Sequence, residues 1–546
     1  MEDKPLVKDL TMIVKNIAYA CLTQHCENGH EDKESINWIH NDLSETRFTY
    51  GEFERESNQI AHILKDLGVQ AQEVVSIFLP RSPKLITSFF GIQKLQAMSC
   101  ILFSTLGEDA LLDRLGNSQA KVIITKNSLV RKILAIKDQL PELGKILVVD
   151  KEEHRDDFIL SLLALLKNAD TDFEYPHQVD GEMPAFLQYT SGSTGKPKGA
   201  LHVHSAIQDI IQSFQEIMKP EADDLYWCTA DPAWITGLSY GIIAPLSTIT
   251  DSIQFSGTYN ADHWLKILKD KQVNIWYTAP TALRMLMQED DEKFVAIRSN
   301  SLKRIYSVGE PLNPEIYHWG KKVFSTEVYD NWFQSETGSI MIANRPGLAV
   351  KPGSMGKPRS GIEVFILDDD MQARPVGLQG HLTLRKGWRS MFRTYFHKED
   401  AYADKFRGEY YITGDLAYQD EEEYFWYVSR SDDVINTAGH LVGPFEVESA
   451  LLEIDEIADA AVIGADDPLL HKKIVAYIVL PEEVKWDRTL ELKCRIYISN
   501  KVSTVAIPSE FIITGKIPKN QSGKILRRVL KAYYEGEDPG DISTME

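Results

Sequence analysis

Tyr189-Thr-Ser-Gly-Ser-Thr-Gly-Lys-Pro-Lys-Gly199 decides how this chain is read. Its eleven residues hold three glycines, two lysines and four Ser/Thr hydroxyls. The apolar run Pro184-Ala-Phe-Leu-Gln188 just before it predicts a strand. Glycine lets a backbone come close to a ligand, and N–H groups, hydroxyls and lysines together suit a polyphosphate. The spacing is not G-x-x-x-x-G-K-[ST], in which a helix starts at the Lys. Pro197 follows Lys196 and Gly199 follows Lys198, which disfavours a helix there. The stretch predicts a loop that closes over the β- and γ-phosphates of a nucleotide. A Gly/Ser linker would have no reason to follow a buried strand or to carry lysines at these places.

Outward from the loop, the chain alternates. Thr49-Tyr-Gly-Glu52 is a capping box, followed by a helical stripe of Phe53, Ile60, Leu64 and Leu67 that Gly68 stops. A strand at Val74–Leu79 comes next. A helix from Lys84, a strand at Ser99–Phe103, a helix at Asp109–Leu115 and strands at Lys121–Thr125 and Lys145–Val149 continue the pattern. After the loop, strands are predicted at Leu225–Cys228, Ser252–Phe255, Val273–Tyr277 and Arg304–Val308. Alternating βα units predict an α/β fold with two stacked, doubly wound subdomains, and ligands in such sheets bind beyond the carboxyl ends of the strands. From Gly353 to Ile412 strands without helices predict a small barrel-like subdomain. The tail predicts a compact, mobile α+β domain. The expected division is 1–430 and 431–546.

Composition sets limits. At 546 residues, one small domain is excluded. A net charge of -21 argues against nucleic acid or an anionic membrane surface, while one basic loop still suffices for one nucleotide. The most apolar run, Phe158-Ile-Leu-Ser-Leu-Leu-Ala-Leu-Leu166, is too short to insert across a bilayer. Met1-Glu-Asp-Lys-Pro5 lacks the basic-then-apolar pattern of a signal peptide. Cys21 and Cys26, near His25 and His30, raise a metal, but no second ligand pair follows and buried cysteines on an apolar helix are expected. Five scattered cysteines point to a reducing cytoplasm.

The quoted loop resembles the signature loop of the adenylate-forming enzymes: acyl-CoA synthetases, luciferases and peptide-synthetase adenylation domains. Within them the chain looks most like acetyl-CoA and other short-chain acyl-CoA synthetases, from about Thr49 to Met545. The resemblance implies ATP, Mg²⁺ and CoA, with a short carboxylic acid as partner. Thr190, Ser191, Gly192, Ser193, Thr194, Gly195, Lys196 and Lys198 would hold phosphates. Gly309, Glu310, Pro311, Asp330, Asn331 and Trp332 would clasp adenine; Ser335 and Thr337 would donate near the α-phosphate. Glu336 would hold Mg²⁺, which favours carboxylate and phosphate oxygens. Asp415, in Thr413-Gly-Asp-Leu416, would accept from the ribose hydroxyls, with Arg430 as the second ribose contact.

By the same resemblance Trp234, Ile235, Thr236, Val308 and Phe333 would line the acyl pocket. Arg114 would meet a CoA phosphate; a surface helix arginine is the other reading. Ala438 and Gly439 would line the thiol path, and Asp432 would be the hinge. Lys524, in Ile517-Pro-Lys-Asn-Gln-Ser-Gly-Lys524, matches the catalytic lysine. A lysine acetyltransferase acting on it would switch off its charge, and a deacetylase would restore it.

Several positions depart from the family pattern. Leu441 stands where relatives carry an Arg that meets the adenylate phosphate, Ser429 replaces a Gly, His471-Lys-Lys473 replaces a Gly-Glu pair, and Ser509 stands for an Arg. The expected reaction is AMP-forming activation of acetate or a short-chain acid and its transfer to CoA. A short branched- or medium-chain acyl-CoA synthetase, a ligase loading a carrier-protein thiol and a weakened nucleotide-binding paralogue stay open as alternatives.

Overall fold

The computed structural model describes residues 12–190, 197–298, 301–437, 440–467, 470–520, 524–539, 542 and 545. The side chains of Asp291, Ala296, Arg298, Leu441 and His471 lie outside that description. Two large sheets organise the first 360 or so residues, as the βα alternation predicts. One has eight strands in the order Thr394–Tyr395, Lys198–Val203, Pro184–Thr190, Met98–Leu102, Val74–Phe78, Val122–Thr125, Lys145–Val148 and Ile159–Ser161. It is parallel from Pro184–Thr190 outward and antiparallel at the other edge. Helix Tyr50–Asp66 opens on the expected capping box: Thr49 Oγ1 accepts the Glu52 N–H, and the Glu52 carboxylate accepts the Thr49 N–H. Gly68, at φ +85°, ends it.

The second sheet has nine strands and a parallel centre: Val328–Trp332, Arg304–Ser307, Ile275–Thr278, Tyr226–Cys228, Ser252–Phe255 and Glu34–Ile39. The last of these is not expected from the sequence reading, which places its first clear element at Thr49. The hairpin Glu34–Ile39/Glu45–Thr49 crosses to the far sheet and pairs parallel to Ser252–Phe255, Ile36 opposite Ser252. Upstream of it, Cys21 is buried in a helical turn, as expected. Among the described residues no cluster of metal-ligating side chains occurs.

The two sheets share one core. Ile77, Phe89 and Leu187 of the first half pack in the same apolar cluster as Tyr226, Tyr277 and Tyr306 of the second. Burying such a cluster at about 25 cal/mol per Å² is the main stabilising contribution.

The third unit is an antiparallel sheet of Val364–Leu367, Gly380–Arg385, Phe406–Arg407, Tyr410–Gln419 and Phe425–Arg430. It is a half-barrel, since among the described residues Phe425–Arg430 does not pair back to Val364–Leu367. A five-residue helix, Glu399–Ala403, interrupts the run expected to be strands alone. Beyond it, Ile435–Thr437, His440–Val442, Asp459–Asp467, His471–Val479 and Glu510–Ile513 form their own sheet, with helices Pro444–Leu452 and Arg488–Lys501 on a separate core. Among the described residues no helix is long and apolar enough to cross a membrane.

This last unit leans on helix Pro314–Phe324 of the large unit. Asn313 Nδ2 donates to Ser449 Oγ at 2.9 Å, and Arg284 lies 4.0 Å from Asp459. Glu315 faces Glu453 and Asp455 there, with Arg284 nearby. Burial and then Glu453 push its carboxyl up to about 6. Glu453 itself accepts from Tyr497 and pairs with Lys501. A raised folded pKa means that the stabilisation is full below the ordinary carboxylate pKa and is lost as pH rises through about 6. Glu315→Gln should therefore stabilise the protein at pH 7.5 by roughly 1–2 kcal/mol and change nothing at pH 4. Thermal midpoints at the two pH values check this, and a gain at pH 4 alone would be the wrong sign.

Candidate functional site

A cleft of about 1150 Å³ opens where the large sheets, the half-barrel and the last unit meet. Thr229 follows strand Tyr226–Cys228, Ser256 follows Ser252–Phe255, Ala279 follows Ile275–Thr278 and Val308 follows Arg304–Ser307, and all line it. The cleft thus lies beyond the carboxyl ends of the parallel strands, as expected.

Its glycine-rich edge is a hairpin. Thr190 ends one strand and pairs with Lys198, which begins the next, antiparallel strand. No helix starts at Lys198, in agreement with the reading of Pro197 and Gly199. Thr190, Pro197 and Lys198 line the cleft. Ser191, Gly192, Ser193, Thr194, Gly195 and Lys196 lie outside the described residues, as do Ala438 and Gly439.

Strand Val328–Trp332 and the turn after it supply most of one wall. Asp330 is buried, its Oδ1 has no partner among the described residues, and burial pushes its carboxyl well above the usual range. Asn331 is held by Tyr277, which donates to its Oδ1 at 2.9 Å, and donates in turn to the Ser307 carbonyl. Gly309 takes φ +99°, a left-handed conformation that favours glycine, and Gly309, Glu310 and Pro311 line the same wall. Glu310 accepts the Thr281 N–H at 2.6 Å, which leaves it less free for a base than expected. Ser335 lines the cleft; Thr337 does not. The Thr337 hydroxyl accepts the Gln334 N–H and donates inside the same turn, so it helps to shape that turn.

Asp415 sits at the centre of a buried network. Arg430 Nη1 donates to Oδ1 at 3.1 Å; Trp332 Nε1 and Gln334 Nε2 donate to Oδ2 at 3.0 and 2.9 Å. Burial works against the Arg430 charge, but Asp415 and Asp432 outweigh it and raise its pKa. Asp432 lies 3.6 Å from Arg430. Gln334 is a residue that the sequence reading passed over inside its own motif. Tyr411 donates to its Oε1 at 2.8 Å and aims the amide at Asp415.

Glu336 also faces the cleft, and Tyr395 donates to its Oε1 at 2.6 Å. One carboxylate open to the space where phosphates would lie suits Mg²⁺, which takes one or two protein carboxylates and completes its shell with phosphate oxygens and water. Besides Lys472 and Lys531, which pair with Asp466 and Glu535, three lysines face the same cleft: Lys198, Lys405 and Lys524. Among the described residues none of their ammonium groups has a carboxylate within 4.0 Å. Lys198 lies over the Tyr395 ring at 5.4 Å. Lys524 is exposed to the cleft although protein crowds around it. Desolvation, then Arg430, lower its pKa. Uncompensated lysines in a chain of net charge -21 mark a site for a polyanion.

Trp234, Ile235, Thr236, Val308 and Phe333, the residues expected to line an acyl pocket, all line the cleft. Phe333 packs edge-on against Tyr240 at 5.5 Å and Trp234 against Phe103 at 4.9 Å. The Gly237 turn is tight, since a Cβ there would lie 2.1 Å from the Asp231 carbonyl. Arg114 is corrected on one count: it is buried, not a surface arginine. Its Nη1 donates to the Ala110 carbonyl at 2.8 Å and its guanidinium lies over Tyr189 at 6.0 Å. The cations that depart from the family pattern have partners of their own, Lys472 with Asp466 and Lys473 with Glu510.

Comparison with known proteins agrees with this arrangement. Residues 22–396 match the family model of AMP-binding enzymes, and residues 446–524 match that of the AMP-binding enzyme C-terminal domain. The chain is 41% identical to the acetyl-coenzyme A synthetase of Bacillus subtilis, over 97% of this chain and 92% of that one. It is 34% identical to the acetyl-coenzyme A synthetase of Streptomyces avermitilis, over 97% and 85%. Among solved structures, the anthranilate CoA ligase AuaEII bound to anthranoyl-AMP superposes with a TM-score of 0.86 at 26% identity, covering 97% of this chain and 98% of that one. A benzoate CoA ligase from Burkholderia xenovorans shares the fold, with a TM-score of 0.84 at 23% identity over 95% and 100% of the two chains.

Proposed function

Because the chain belongs to the AMP-binding enzyme family, we propose that it is an AMP-forming acid–thiol ligase that joins acetate to CoA at the expense of ATP. The observation that carries the reading is Lys524 facing one cleft with Glu336 and the Asp415–Arg430 pair. The relatives named acetyl-coenzyme A synthetase support acetate as the acid.

In the first half-reaction an acetate oxygen attacks the α-phosphorus of ATP; the bond to the β-phosphate oxygen breaks and pyrophosphate leaves. Two anions meet, so fixed positive charge where charge accumulates lowers the barrier. Lys524 supplies it at the α-phosphate, with Lys196 and Lys198 on the leaving side. Mg²⁺ held by Glu336 would neutralise phosphate charge. Asp415 and Arg430 hold the ribose, and Asp330, Asn331 and Trp332 frame the base. In the second half-reaction the CoA sulfur attacks the acyl carbon and AMP leaves. The last unit turns about Asp432, withdraws Lys524 and opens the thiol path past Ala438 and Gly439, a gating motion between two chemistries. Acetylation of Lys524 would stop the first half-reaction alone.

Acid-dependent ATP–pyrophosphate exchange, followed by CoA-dependent AMP release with a panel of C2 to C8 acids, tests the reading. A chain that exchanges with acetate but ignores free CoA would be a carrier-protein ligase instead.

Phe333 and Ile235 set acid length. Phe333→Trp fills space beside Tyr240 and should move preference from propionate toward acetate. One methylene in an apolar pocket is worth about 1–3 kcal/mol, so the kcat/KM ratio should shift about tenfold or more. Octanoate as the best acid of the unmodified protein would show that this wall is misassigned.

A further inference from the structure

Lys405 carries no role in the reading above, yet its setting is unlike that of a surface lysine. Its backbone is pinned on both sides: its N–H donates to the Tyr402 carbonyl at 3.0 Å, and its carbonyl accepts the Ile412 N–H at 2.7 Å. The Tyr402 ring below it packs on Phe392 and Phe406, each at 4.9 Å. The turn between helix Glu399–Ala403 and strand Tyr410–Gln419 is therefore held in place, and it sends the Lys405 side chain into the cleft.

There the ammonium is half-buried, with no hydrogen-bond or ion-pair partner among the described residues. Burial lowers its pKa; Glu336 and Asp415 work against that, while Arg430 and Lys198 add to it. A half-buried cation without a partner is unfavourable by itself, and two further cations beside it make it more so. Such a cluster is stable when an anion of several charges fills it. Arg430 is already neutralised by Asp415 and Asp432. Lys198 and Lys405, beside Glu336, are not.

We infer that Lys405 is a binding residue for the pyrophosphate part of ATP, gripping the β- and γ-phosphates beside Lys198 and Glu336. Its neighbours fix which part of the ligand it meets. The apolar acyl wall of Trp234, Ile235, Val308 and Phe333 offers nothing to an ammonium, and the ribose end is served by Asp415 and Arg430. Glu336 and Lys198 mark the phosphate end, and Lys405 lies with them. The strand Thr394–Tyr395, just before the helix that precedes Lys405, is hydrogen-bonded to Ala200 and Leu201, so the Lys405 turn is tied to the strand that begins at Lys198. The inference rests on the ligase reading.

The test compares ligands that differ only in those phosphates. Dissociation constants for ATP, pyrophosphate and AMP are measured by calorimetry on the full chain, unmodified and as Lys405→Met and Lys405→Arg, with matched thermal midpoints as a check on folding. In Lys405→Met, ATP and pyrophosphate should weaken by about tenfold to a hundredfold, with AMP unchanged within about twofold. Lys405→Arg should recover most of the loss. Equal weakening of ATP and AMP, or no weakening of ATP, overturns the assignment. Acid-dependent ATP–pyrophosphate exchange by the unmodified protein separates the two levels. Exchange together with unchanged ATP binding in Lys405→Met defeats only Lys405, whereas no exchange with any acid defeats the ligase reading and this one with it.

Discussion

Lys524→Ala should lower acetyl-AMP formation by about two to three orders of magnitude while conversion of supplied acetyl-AMP to acetyl-CoA changes by less than a few-fold. The magnitude is that of removing one donor aimed at charge that develops in a transition state. Lys524 faces the cleft with its side chain open to solvent and no carboxylate partner among the described residues, so its truncation removes charge without breaking a buried pair, and the thermal midpoint should hold. The split between half-reactions follows from the lysine being needed only while the triphosphate is in place. ATP–pyrophosphate exchange reads the first half-reaction and thioester formation from acetyl-AMP the second. Equal loss in both would remove Lys524 from the role given to it here.

Asp415→Ala should be destabilising as well as inactivating, which sets it apart from Lys524→Ala. The Asp415 carboxylate accepts from Arg430, Trp332 and Gln334 and is itself buried. Removing it leaves a guanidinium without its closest counter-charge, and breaking a buried pair by deleting one partner costs about 3–5 kcal/mol. Two ribose hydroxyls lose an acceptor at the same time, so AMP affinity should fall about tenfold to a hundredfold. The double variant Asp415→Ala/Arg430→Met separates the two effects. It should recover much of the stability, because no charge is left unpaired, and none of the affinity. Recovery of both would mean that the pair holds the half-barrel together and does not touch the nucleotide.

What the chain disclosed before folding follows from how each contact is made. Sequence-local features were legible: the capping box at Thr49 and the Pro197/Gly199 block to a helix both appear as expected. Cleft residues grouped in motifs, such as Gly309–Pro311 and Asp330–Glu336, were legible too, because a strand end delivers neighbours to one place. Lys405 and Tyr395 were not. In Ala403-Asp-Lys-Phe-Arg407 a lysine reads as part of a charged turn, and only the pairing of Thr394–Tyr395 with Ala200–Leu201 carries that turn to the hairpin. For Thr337 the motif pointed to a donor near the α-phosphate, and only the fold reveals that its hydroxyl also closes the turn beginning at Gln334. Arg114 differed because its amphipathic helix hides that position beneath Tyr189.

The hairpin Glu34–Thr49 has a consequence for how the protein comes off the ribosome. Its inner strand, Glu34–Ile39, finds its neighbour, Ser252–Phe255, only after more than two hundred further residues are made. At roughly 5–20 residues per second that interval is about 10–40 s. Throughout it, an edge carrying the buried Ile36, Trp38 and Ile39 waits without its neighbour, and an unpaired apolar edge is a template for pairing with the wrong chain. Nascent chains halted anywhere between residue 50 and residue 250 are thus the population on which a holdase chaperone has most to act. Yield at raised temperature should be limited by that early segment, far from the residues that perform the chemistry.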